Sequence, residues 1–178
     1  MAINSIEKLR AFFEKSGGLA ANNEYMVVLT GPTGLGIKSE DLHILCQSAT
    51  LPGRAIATAD YETTGIPIKM PYTVLNDDVS ISFLLTNDYM VKKFFEEWID
   101  KIIDVPRSKV MYKEDYVCDI EIIQLDKQHK PVYTTTLINA FPIKISQVDF
   151  TDESHDVIRI AIDFAYDNYI NKSTNNII

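Results

Sequence analysis

Alternation of apolar and polar residues runs through most of the chain and predicts β-strands. Seven segments show a period of two or a short apolar run, which is typical of strands with one buried face. These segments are residues 25–30, 42–47, 79–85, 116–125, 132–139, 143–150 and 158–166. Because half-buried strands belong to antiparallel sheets, the pattern predicts a mainly β fold, a sandwich or a barrel.

Two segments instead repeat their apolar residues at helical spacing. Residues 88–103 place a stripe of apolar side chains that includes Trp98 on one side, with charged residues on the other. Residues 5–15 form a second amphipathic pattern that stops before Gly17 and Gly18. The predicted fold class is therefore an antiparallel β-sandwich or barrel with two amphipathic helices packed on it, and with Trp98 in its core.

Residues 55–72 predict a long β-hairpin that turns near residues 63–65. Its first arm alternates without a strong apolar face. Its second arm contains Pro67 and Pro71, which suit the edge of a sheet because proline has no N–H to donate. A two-stranded ribbon with so little to bury is marginally stable alone in water. The segment is therefore either a loop or a ribbon that pairs with a neighbouring chain.

Composition fits one domain over residues 1–178, with a polar, flexible tail from residue 171 onwards. The 17 Lys and Arg against 25 Asp and Glu give a net charge of −8, which argues against a protein that grips nucleic acid through its phosphates. No signal peptide or membrane-length apolar segment is visible. Cys46 and Cys118 are far apart in sequence, so we expect two small buried thiols in a soluble protein made in a reducing cytosol.

A glycine-rich segment, residues 31–39, resembles a phosphate-binding loop but differs from its sequence pattern at one position. Ile37 separates the last glycine from Lys38, whereas a phosphate loop needs the lysine directly after that glycine. Phosphate binding also needs a helix after the loop, and the pattern here predicts a strand over residues 42–47. A turn between two strands is the favoured interpretation, and a small nucleotide- or metal-dependent enzyme using Lys38 and a histidine is the alternative.

Other candidate chemistry is sparse. The three histidines, His43, His129 and His155, have no second histidine or cysteine at the spacing of metal ligands. Ser154 and Asp156 flank His155 in sequence, but catalytic triads are assembled in space from separated positions. The acidic pairs Asp77-Asp78 and Asp152-Glu153 fit turns better than acid–base chemistry. We therefore expect no catalytic, cofactor-binding or metal-binding residues.

Four local strings follow one another along the chain. They are Cys46-Gln47-Ser48-Ala49-Thr50-Leu51-Pro52-Gly53, Val74-Leu75-Asn76-Asp77-Asp78, Phe94-Phe95-Glu96-Glu97-Trp98 and Asp163-Phe164-Ala165-Tyr166-Asp167. In this order and spacing, from about Ile6 to Tyr169, the chain resembles the tail tube proteins of contractile-tailed, T4-like bacteriophages. The glycine-rich insertion at residues 31–36 and the extension after Tyr169 depart from the family pattern, and they leave the tail type open.

The resemblance implies a structural virion protein of the phage tail, assembled in the host cytoplasm, with neither enzymatic activity nor a cofactor. It implies homohexameric rings that stack into a hollow tube, which penetrates the host envelope while viral DNA passes through the bore without specific binding. The implied protein partners are the tail sheath, baseplate, tail-terminator and tape measure proteins. A baseplate or tube-initiating protein, or the inner tube of a phage-like contractile injection system, is the alternative within this class.

The resemblance also assigns roles to particular residues. The hairpin would join neighbouring subunits through Ile56, Thr58, Asp60, Tyr61, Glu62, Gly65 and Ile68. A loop would contact the next ring through Ala49, Thr50, Leu51, Pro52 and Gly53. The candidate bore-facing acids, which would repel the phosphates of DNA, are Asp60, Glu62, Asp119 and Glu121.

Overall fold

A computed structural model describes residues 3–15, 19–32, 35, 39–61, 65–104, 106–107, 109–148, 150 and 156–173. These residues form the helices α1 (Ile3–Lys15), α2 (Ser39–Leu45), α3 (Met90–Ile102) and α4 (Lys113–Tyr116). Their strands are β1 (Tyr25–Leu29), β2 (Cys46–Ala49), β3 (Arg54–Tyr61), β4 (Ile68–Asn76), β5 (Val79–Leu84), β6 (Ile103–Asp104), β7 (Lys109–Val110), β8 (Cys118–Leu125), β9 (Pro131–Ile145), β10 (Arg159–Ala165) and β11 (Asn168–Ser173). None of the helices within these ranges is long and apolar enough to cross a membrane.

Seven strands build one large antiparallel sheet around the long strand β9. The order is β1-β8-β9-β10-β5-β2, and β11 pairs with β9 beside this path. The first part of β9 pairs with β8 and β11, whereas its last residues pair with β10. The prediction of a mainly antiparallel β fold is confirmed. The strands at the two ends of this path, β1 and β2, do not pair with each other, so the described strands do not close the predicted barrel.

Asn139 marks an irregular point inside β9. Its φ of 54° lies in the left-handed region, which asparagine tolerates better than most residues. Its backbone N–H donates to Asp119 Oδ1 at 3.1 Å, and its side-chain amide donates to Asp167 Oδ2 at 2.8 Å. Hydrogen bonds from Lys113 and then Asn139 lower the pKa of Asp167 below its ordinary value. Polar groups from α4, β8 and the β10–β11 turn therefore hold the backbone at this point.

Helix α3 packs its apolar stripe into the core against the large sheet. The buried residues of this stripe are Val91, Phe94, Phe95, Trp98 and Ile102. Strands β5 and β10 bury alternate side chains in register, so that Ile81 faces Ile162 and Phe83 faces Ile160. The indole ring of Trp98 is fully buried, and its N–H donates to the carbonyl of Tyr116 at 2.8 Å. The predicted core position of Trp98 is therefore confirmed.

The strand predicted over residues 42–47 is wrong. This segment contains the end of α2 and the start of β2. Leu42 is 2% exposed, whereas Ile44 is 75% exposed. Two residues that are two positions apart share a face in a strand but point in different directions on a helix, so the helical turn buries one and exposes the other.

The two strands predicted over residues 132–139 and 143–150 are one strand, β9, which ends at Ile145. Proline is normally excluded from the interior of a sheet because it cannot donate to the ladder. Pro142 is accommodated beside an irregularity, since the pairing of β9 with β10 shifts register between Asp163 and Phe164. The break that the sequence indicates is therefore a local irregularity within a continuous strand.

The remaining differences concern the ends of the chain and the thiols. Helix α1 leaves Ile6 57% and Leu9 52% exposed, so the predicted packing of its apolar stripe onto the sheet is wrong for these residues. Strand β11 extends to Ser173, three residues into the predicted flexible tail, and residues 174–178 lie outside the described part of the chain. Cys46 and Cys118 are free and half-buried rather than fully buried.

Candidate assembly surface

Strands β3 and β4 form a hairpin that stands apart from the large sheet. Among the described strands they pair only with each other, from Arg54 opposite Asn76 to Tyr61 opposite Ile68. We refer to these two strands together as the ribbon. All of its residues except Ala57 and Asn76 are exposed. The predicted hairpin is therefore confirmed, whereas residues 62–64 of its turn lie outside the described residues.

The register gives the ribbon two chemically different faces. Residues directly opposite in an antiparallel pair share a face, and successive residues alternate between faces. The pairing shifts register between Ala57 and Thr58, where Tyr72 forms a bulge without a partner on β3. Because of this bulge, residues 68 and 70 lie on the same face as residues 73 and 75. The apolar face comprises Ala55, Ala57, Ala59, Tyr61, Ile68, Met70, Thr73 and Leu75. The polar face comprises Arg54, Ile56, Thr58, Asp60, Lys69, Pro71, Val74 and Asn76.

Charge separates these two faces. The apolar face carries no charged side chain, and its large residues Ile68, Met70 and Leu75 are 56%, 54% and 53% exposed. On the polar face, Asp60 Oδ1 and Lys69 Nζ lie 3.9 Å apart with both side chains largely in solvent, so their ion pair adds little stability. Large apolar patches on a protein surface mark interaction sites, and the ribbon exposes apolar side chains on both faces, since Ile56 and Val74 of the polar face are 63% and 53% exposed. The ribbon therefore has the character of an assembly element.

Two tyrosines tie the base of the ribbon to the large sheet. The Tyr166 hydroxyl donates to the carbonyl of Asp77 at 2.7 Å, and the Asp77 N–H donates to the carbonyl of Gly53 at 3.2 Å. The Arg54 guanidinium lies 4.5 Å from the ring centroid of Tyr169, which packs edge-on against Tyr166 at 6.2 Å. Burial raises the pKa of Tyr166, so its hydroxyl keeps its proton and remains a donor at neutral pH. These contacts fix the direction in which the ribbon leaves the sheet.

The loop predicted to contact the next ring, residues 49–53, connects β2 to the ribbon. Thr50 is held firmly, because its N–H and hydroxyl donate to the Ser80 carbonyl at 3.0 and 3.1 Å and its hydroxyl accepts from the Ser80 N–H at 2.9 Å. Leu51 is 52% exposed. A Cβ on Gly53 would lie 2.3 Å from Asp77 Oδ2, so glycine allows a close approach here. The loop is positioned to present Leu51, and its contact with a ring stays a prediction.

The candidate bore-facing acids lie on separate elements. Asp60 is on the polar face of the ribbon, and Glu62 lies outside the described residues. Asp119 and Glu121 alternate with buried residues of β8, as the sequence predicts. Asp119 accepts the N–H of Asn139, and Glu121 is half-buried. The structure places Asp60 on the ribbon and the other two acids on the large sheet, and the bore-facing role of all four residues stays a prediction.

The glycine-rich segment is followed by a helix, α2, and not by the expected strand. That argument against phosphate binding is therefore wrong. The other argument remains, because Ile37 still separates Gly36 from Lys38. These three residues lie outside the described part of the chain. Gly31 has a packing role, since a Cβ at this position would lie 2.6 Å from Phe94 Cζ.

The described nucleophiles and metal ligands do not form a reactive centre. Within the described ranges, no three His, Cys, Asp or Glu residues are placed to hold a metal ion. Burial raises the pKa of Cys46 to about 11 and that of Cys118 to about 12, so both thiols are protonated at neutral pH and are weak nucleophiles. His43 and Cys46 line an open cleft of about 470 Å³. Residues 151–155, with Ser154 and His155, lie outside the described residues.

Solved structures share this fold at low sequence identity. A chain of the anti-feeding prophage baseplate has a TM-score of 0.66 and 14% identity, covering 87% of this chain and 96% of its own. A chain of the anti-feeding prophage tube-terminating cap has a TM-score of 0.64 and 19% identity, with 88% and 92% covered. A chain of the PVC sheath–tube complex, from an extracellular contractile injection system, has a TM-score of 0.63 and 16% identity, with 88% and 93% covered. At these identities the likeness shows the fold alone.

Family membership rests on a different comparison. No curated protein sequence matches the chain. The sequence model of the family described as phage tail tube protein matches residues 20–172, which are most of the 178 residues and include the whole ribbon. The chain therefore belongs to the phage tail tube protein family, and the predictions of this family and of a structural protein rather than an enzyme are confirmed.

Proposed function

We propose that this chain is the repeating subunit of the hollow inner tube of a contractile phage tail. Subunits form homohexameric rings, and the rings stack into a tube through which viral DNA passes into the host. The single observation that carries the proposal is the separate ribbon. Among the described strands β3 and β4 pair only with each other, and both lie within the matched residues 20–172. Strands without partners in one copy find them on neighbouring copies, and a closed ring removes exposed edges.

The ribbon makes the contacts within a ring, and the loop before it makes the contacts between rings. Along the ring, Ile56, Thr58, Asp60, Tyr61, Glu62, Gly65 and Ile68 contact the neighbouring subunit. Residues 49–53 contact the adjacent ring, with Leu51 as the exposed apolar residue of the loop. The hydrogen bonds of Thr50 to Ser80 support this role, because a loop that is fixed before assembly loses little conformational entropy on binding.

The bore is polar and neutral to acidic, so that DNA phosphates are repelled and the genome slides. The net charge of −8 supports this property, and Asp60, Glu62, Asp119 and Glu121 are the proposed bore-facing acids. Asp60→Lys combined with Glu62→Lys should slow genome ejection, measured on particles in which electron microscopy shows complete tubes. The matched control is Glu97→Lys combined with Asp100→Lys, the same charge change at exposed positions of α3. Equal ejection rates in the two double variants would remove Asp60 and Glu62 from the bore.

The proposed position of this chain, as the inner tube of a contractile tail, determines its protein partners. We propose the tail sheath protein on the outside, the baseplate and tail-terminator proteins at the two ends, and the tape measure protein within the bore. Chains of similar fold come from a baseplate, a tube-terminating cap and a sheath–tube complex, which supports the first three partners. Subunits assemble in the host cytoplasm and remain in the virion tail, which penetrates the host envelope.

Electron microscopy of the purified protein at high concentration tests the assembly. We expect rings and short tubes, formed alone or after addition of tail proteins. The matched control replaces residues 55–75 with a two-residue turn, which removes the ribbon and leaves its anchoring tyrosines in place. This control should keep the circular dichroism signal of the core and stay monomeric. A wild-type protein that stays monomeric under every condition would refute the proposed function.

A second candidate within the same class is a baseplate or tube-initiating protein, or the inner tube of a contractile injection system. It is favoured by the shared fold of chains from the anti-feeding prophage and PVC particles. Quantitative mass spectrometry of purified particles separates these roles. A tube subunit should be present in many rings per particle, whereas an initiator should be present in one ring. Packaged DNA in the same particles distinguishes a phage from an injection system.

A further inference from the structure

We propose that residues 174–178, which follow β11, fold back into a cleft beside residues 49–53 of the same chain and thereby restrain the contact between rings. This inference rests on the proposed function, because it adds a regulation of the loop that contacts the adjacent ring. The segment lies outside residues 20–172, which match the tail tube family, so membership of that family gives no expectation for it.

The cleft lies where β8 ends and β9 begins, and it has a volume of about 480 Å³. We refer to it as the loop cleft. Its apolar wall includes Tyr25, Ile122 and Tyr133, and its polar wall includes Asn22 and Gln47. Such a mixed lining suits a short peptide that carries both amide and apolar side chains. The segment that follows β11 has this composition, Thr174-Asn175-Asn176-Ile177-Ile178.

The register of the large sheet places the start of this segment beside the loop cleft. Tyr25 lies opposite Gln124, Gln124 opposite Tyr133, and Tyr133 opposite Ser173. Residues directly opposite share a face, so Ser173 stands on the same face as the three residues that line the cleft. Strands about 4.8 Å apart put Ser173 about 14 Å from Tyr25, and five extended residues reach about 17 Å. Residues 174–178 are therefore long enough to cross the cleft of their own chain.

The walls of the loop cleft are fixed by hydrogen bonds within the monomer. The Gln124 side-chain amide donates to the carbonyls of Ala21 and Glu24 at 2.8 and 2.9 Å. The Tyr25 hydroxyl forms a hydrogen bond with the Cys46 thiol, and burial raises the pKa of Tyr25 to about 12, so the hydroxyl keeps its proton at neutral pH. A site that is ordered before binding loses little conformational entropy when a peptide enters it.

The covalent connection favours the segment of the same chain over a segment from another copy. A short linker gives the attached segment an effective concentration in about the millimolar range. Free subunits at micromolar concentration are about a thousandfold more dilute. A contact too weak to hold two separate molecules together is therefore well populated within one chain. The occupant of the loop cleft in the free subunit is its own 174–178 segment.

Occupation of the loop cleft affects the contact between rings through two residues. Ala49 and Leu51 line this cleft and also belong to residues 49–53. Leu51 is 52% exposed in the described structure, and it is the apolar side chain that the loop presents to an adjacent ring. The segment and the adjacent ring therefore compete for Leu51. A completed ring displaces the segment more readily than a single subunit does, because it offers several contacts at once.

Two matched double variants and a truncation test this inference. Ile177→Ser combined with Ile178→Ser removes the apolar side chains of the segment. Asn175→Ser combined with Asn176→Ser makes the same replacements at the two preceding positions and is the control. The truncated chain ends at Ser173. All three variants change only residues after β11, and circular dichroism melting verifies that each one keeps the fold.

Methyl nuclear magnetic resonance of the full chain at low concentration tests the position of the segment. With labelled isoleucine methyl groups, we expect nuclear Overhauser contacts from Ile177 or Ile178 to the rings of Tyr25 or Tyr133. The control variant should keep these contacts. Random-coil methyl shifts for both isoleucines, without contacts to either ring, would overturn the inference.

Sedimentation velocity and electron microscopy test the effect on assembly by measuring the concentration at which tubes form. The truncated chain and the isoleucine variant should assemble at a concentration about threefold lower or less, as expected when the segment occupies the cleft most of the time. The control should match the wild type. A truncated chain that needs the same or a higher concentration would overturn the inference. If neither the wild type nor the truncated chain assembles, the proposed function fails, and the methyl contacts alone decide whether the cleft holds the segment.

Discussion

Trp98 is the residue whose removal should destabilise the fold most. Its side chain is fully buried, with ring centroids of Phe94, Phe95 and Phe164 at 5.7, 6.1 and 6.3 Å. A buried indole removes about 150–250 Å² from water, which at about 25 cal/mol per Å² is worth about 4–6 kcal/mol. Alanine keeps a small part of this burial, and the neighbours relax partly into the cavity. Trp98→Ala should therefore lower the free energy of unfolding by about 3–5 kcal/mol.

The hydrogen bond of the indole can be separated from its volume. Trp98→Phe keeps an aromatic ring in the core but leaves the Tyr116 carbonyl without the donor that lies at 2.8 Å. An acceptor that is fully buried and unsatisfied costs about 1–3 kcal/mol, and the Tyr116 carbonyl is only partly buried, so this variant should lie between the wild type and Trp98→Ala. The control is Glu97→Ala at an exposed position of the same helix, which should change stability by less than about 0.5 kcal/mol.

Urea unfolding at low protein concentration is the appropriate assay, because assembly would add its own stability to the measurement. Far-UV circular dichroism should be the probe, since the chain contains a single Trp and the variants lose its fluorescence. A loss below about 1 kcal/mol for Trp98→Ala would refute the reasoning, because replacing a packed Trp by alanine typically costs about 3–5 kcal/mol. The stripe of α3 would then be solvated or the core would be loosely packed.

Three further substitutions test the base of the ribbon, the hydrogen bonds around Asn139 in β9, and the glycine-rich segment. Tyr166→Phe removes the hydrogen bond to Asp77, so limited proteolysis should cut the ribbon faster and the melting temperature should fall slightly. The lowered pKa of Asp167 means that its contribution to stability is present above about pH 4 and is lost on acidification, so Asp167→Asn should flatten the fall in melting temperature between about pH 5 and 2. Gly31→Ala places a Cβ 2.6 Å from Phe94 Cζ and should destabilise the fold in urea by about 1–3 kcal/mol. Unchanged proteolysis would contradict the expectation for Tyr166→Phe. A melting temperature that falls with pH as in the wild type would contradict the expectation for Asp167→Asn, and an unchanged urea midpoint would contradict that for Gly31→Ala.

The elements that the sequence predicts well are those with long, regular patterns. Helix α3 repeats its apolar residues over 13 residues, so the stripe identifies its buried face without knowledge of its partners. Strands β5 and β10 bury every second residue over their central positions, and the same alternation appears in their sequences. In these cases the burial of one face decides the local pattern, and a local pattern is what a single sequence shows.

The errors arise where the deciding contacts are distant in sequence. Residues 42–47 are too short for their period to separate a helix from a strand, and contact with β1 settles the helical turn of α2. The continuity of β9 through Pro142 depends on the shifted register of its partner β10. The apolar face of the ribbon was missed for a similar reason. Its small residues lie on β3, its large residues lie on β4, and only their register and the bulge at Tyr72 place them together.

The architecture separates folding from assembly, and this separation explains why the ribbon can expose so much apolar surface. The core of the described chain lies around α3 and the large sheet and contains no residue of the ribbon, since none of the described buried apolar residues belongs to β3 or β4. Ribbon residues are therefore free to vary with the needs of contacts between copies. The base of the ribbon is the exception, because Tyr166 and Tyr169 link Asp77 and Arg54 to strands that carry the core. Substitutions along the ribbon should then change assembly without changing the stability of the monomer, and substitutions around Trp98 should do the reverse. Only at the ribbon base should one substitution alter both.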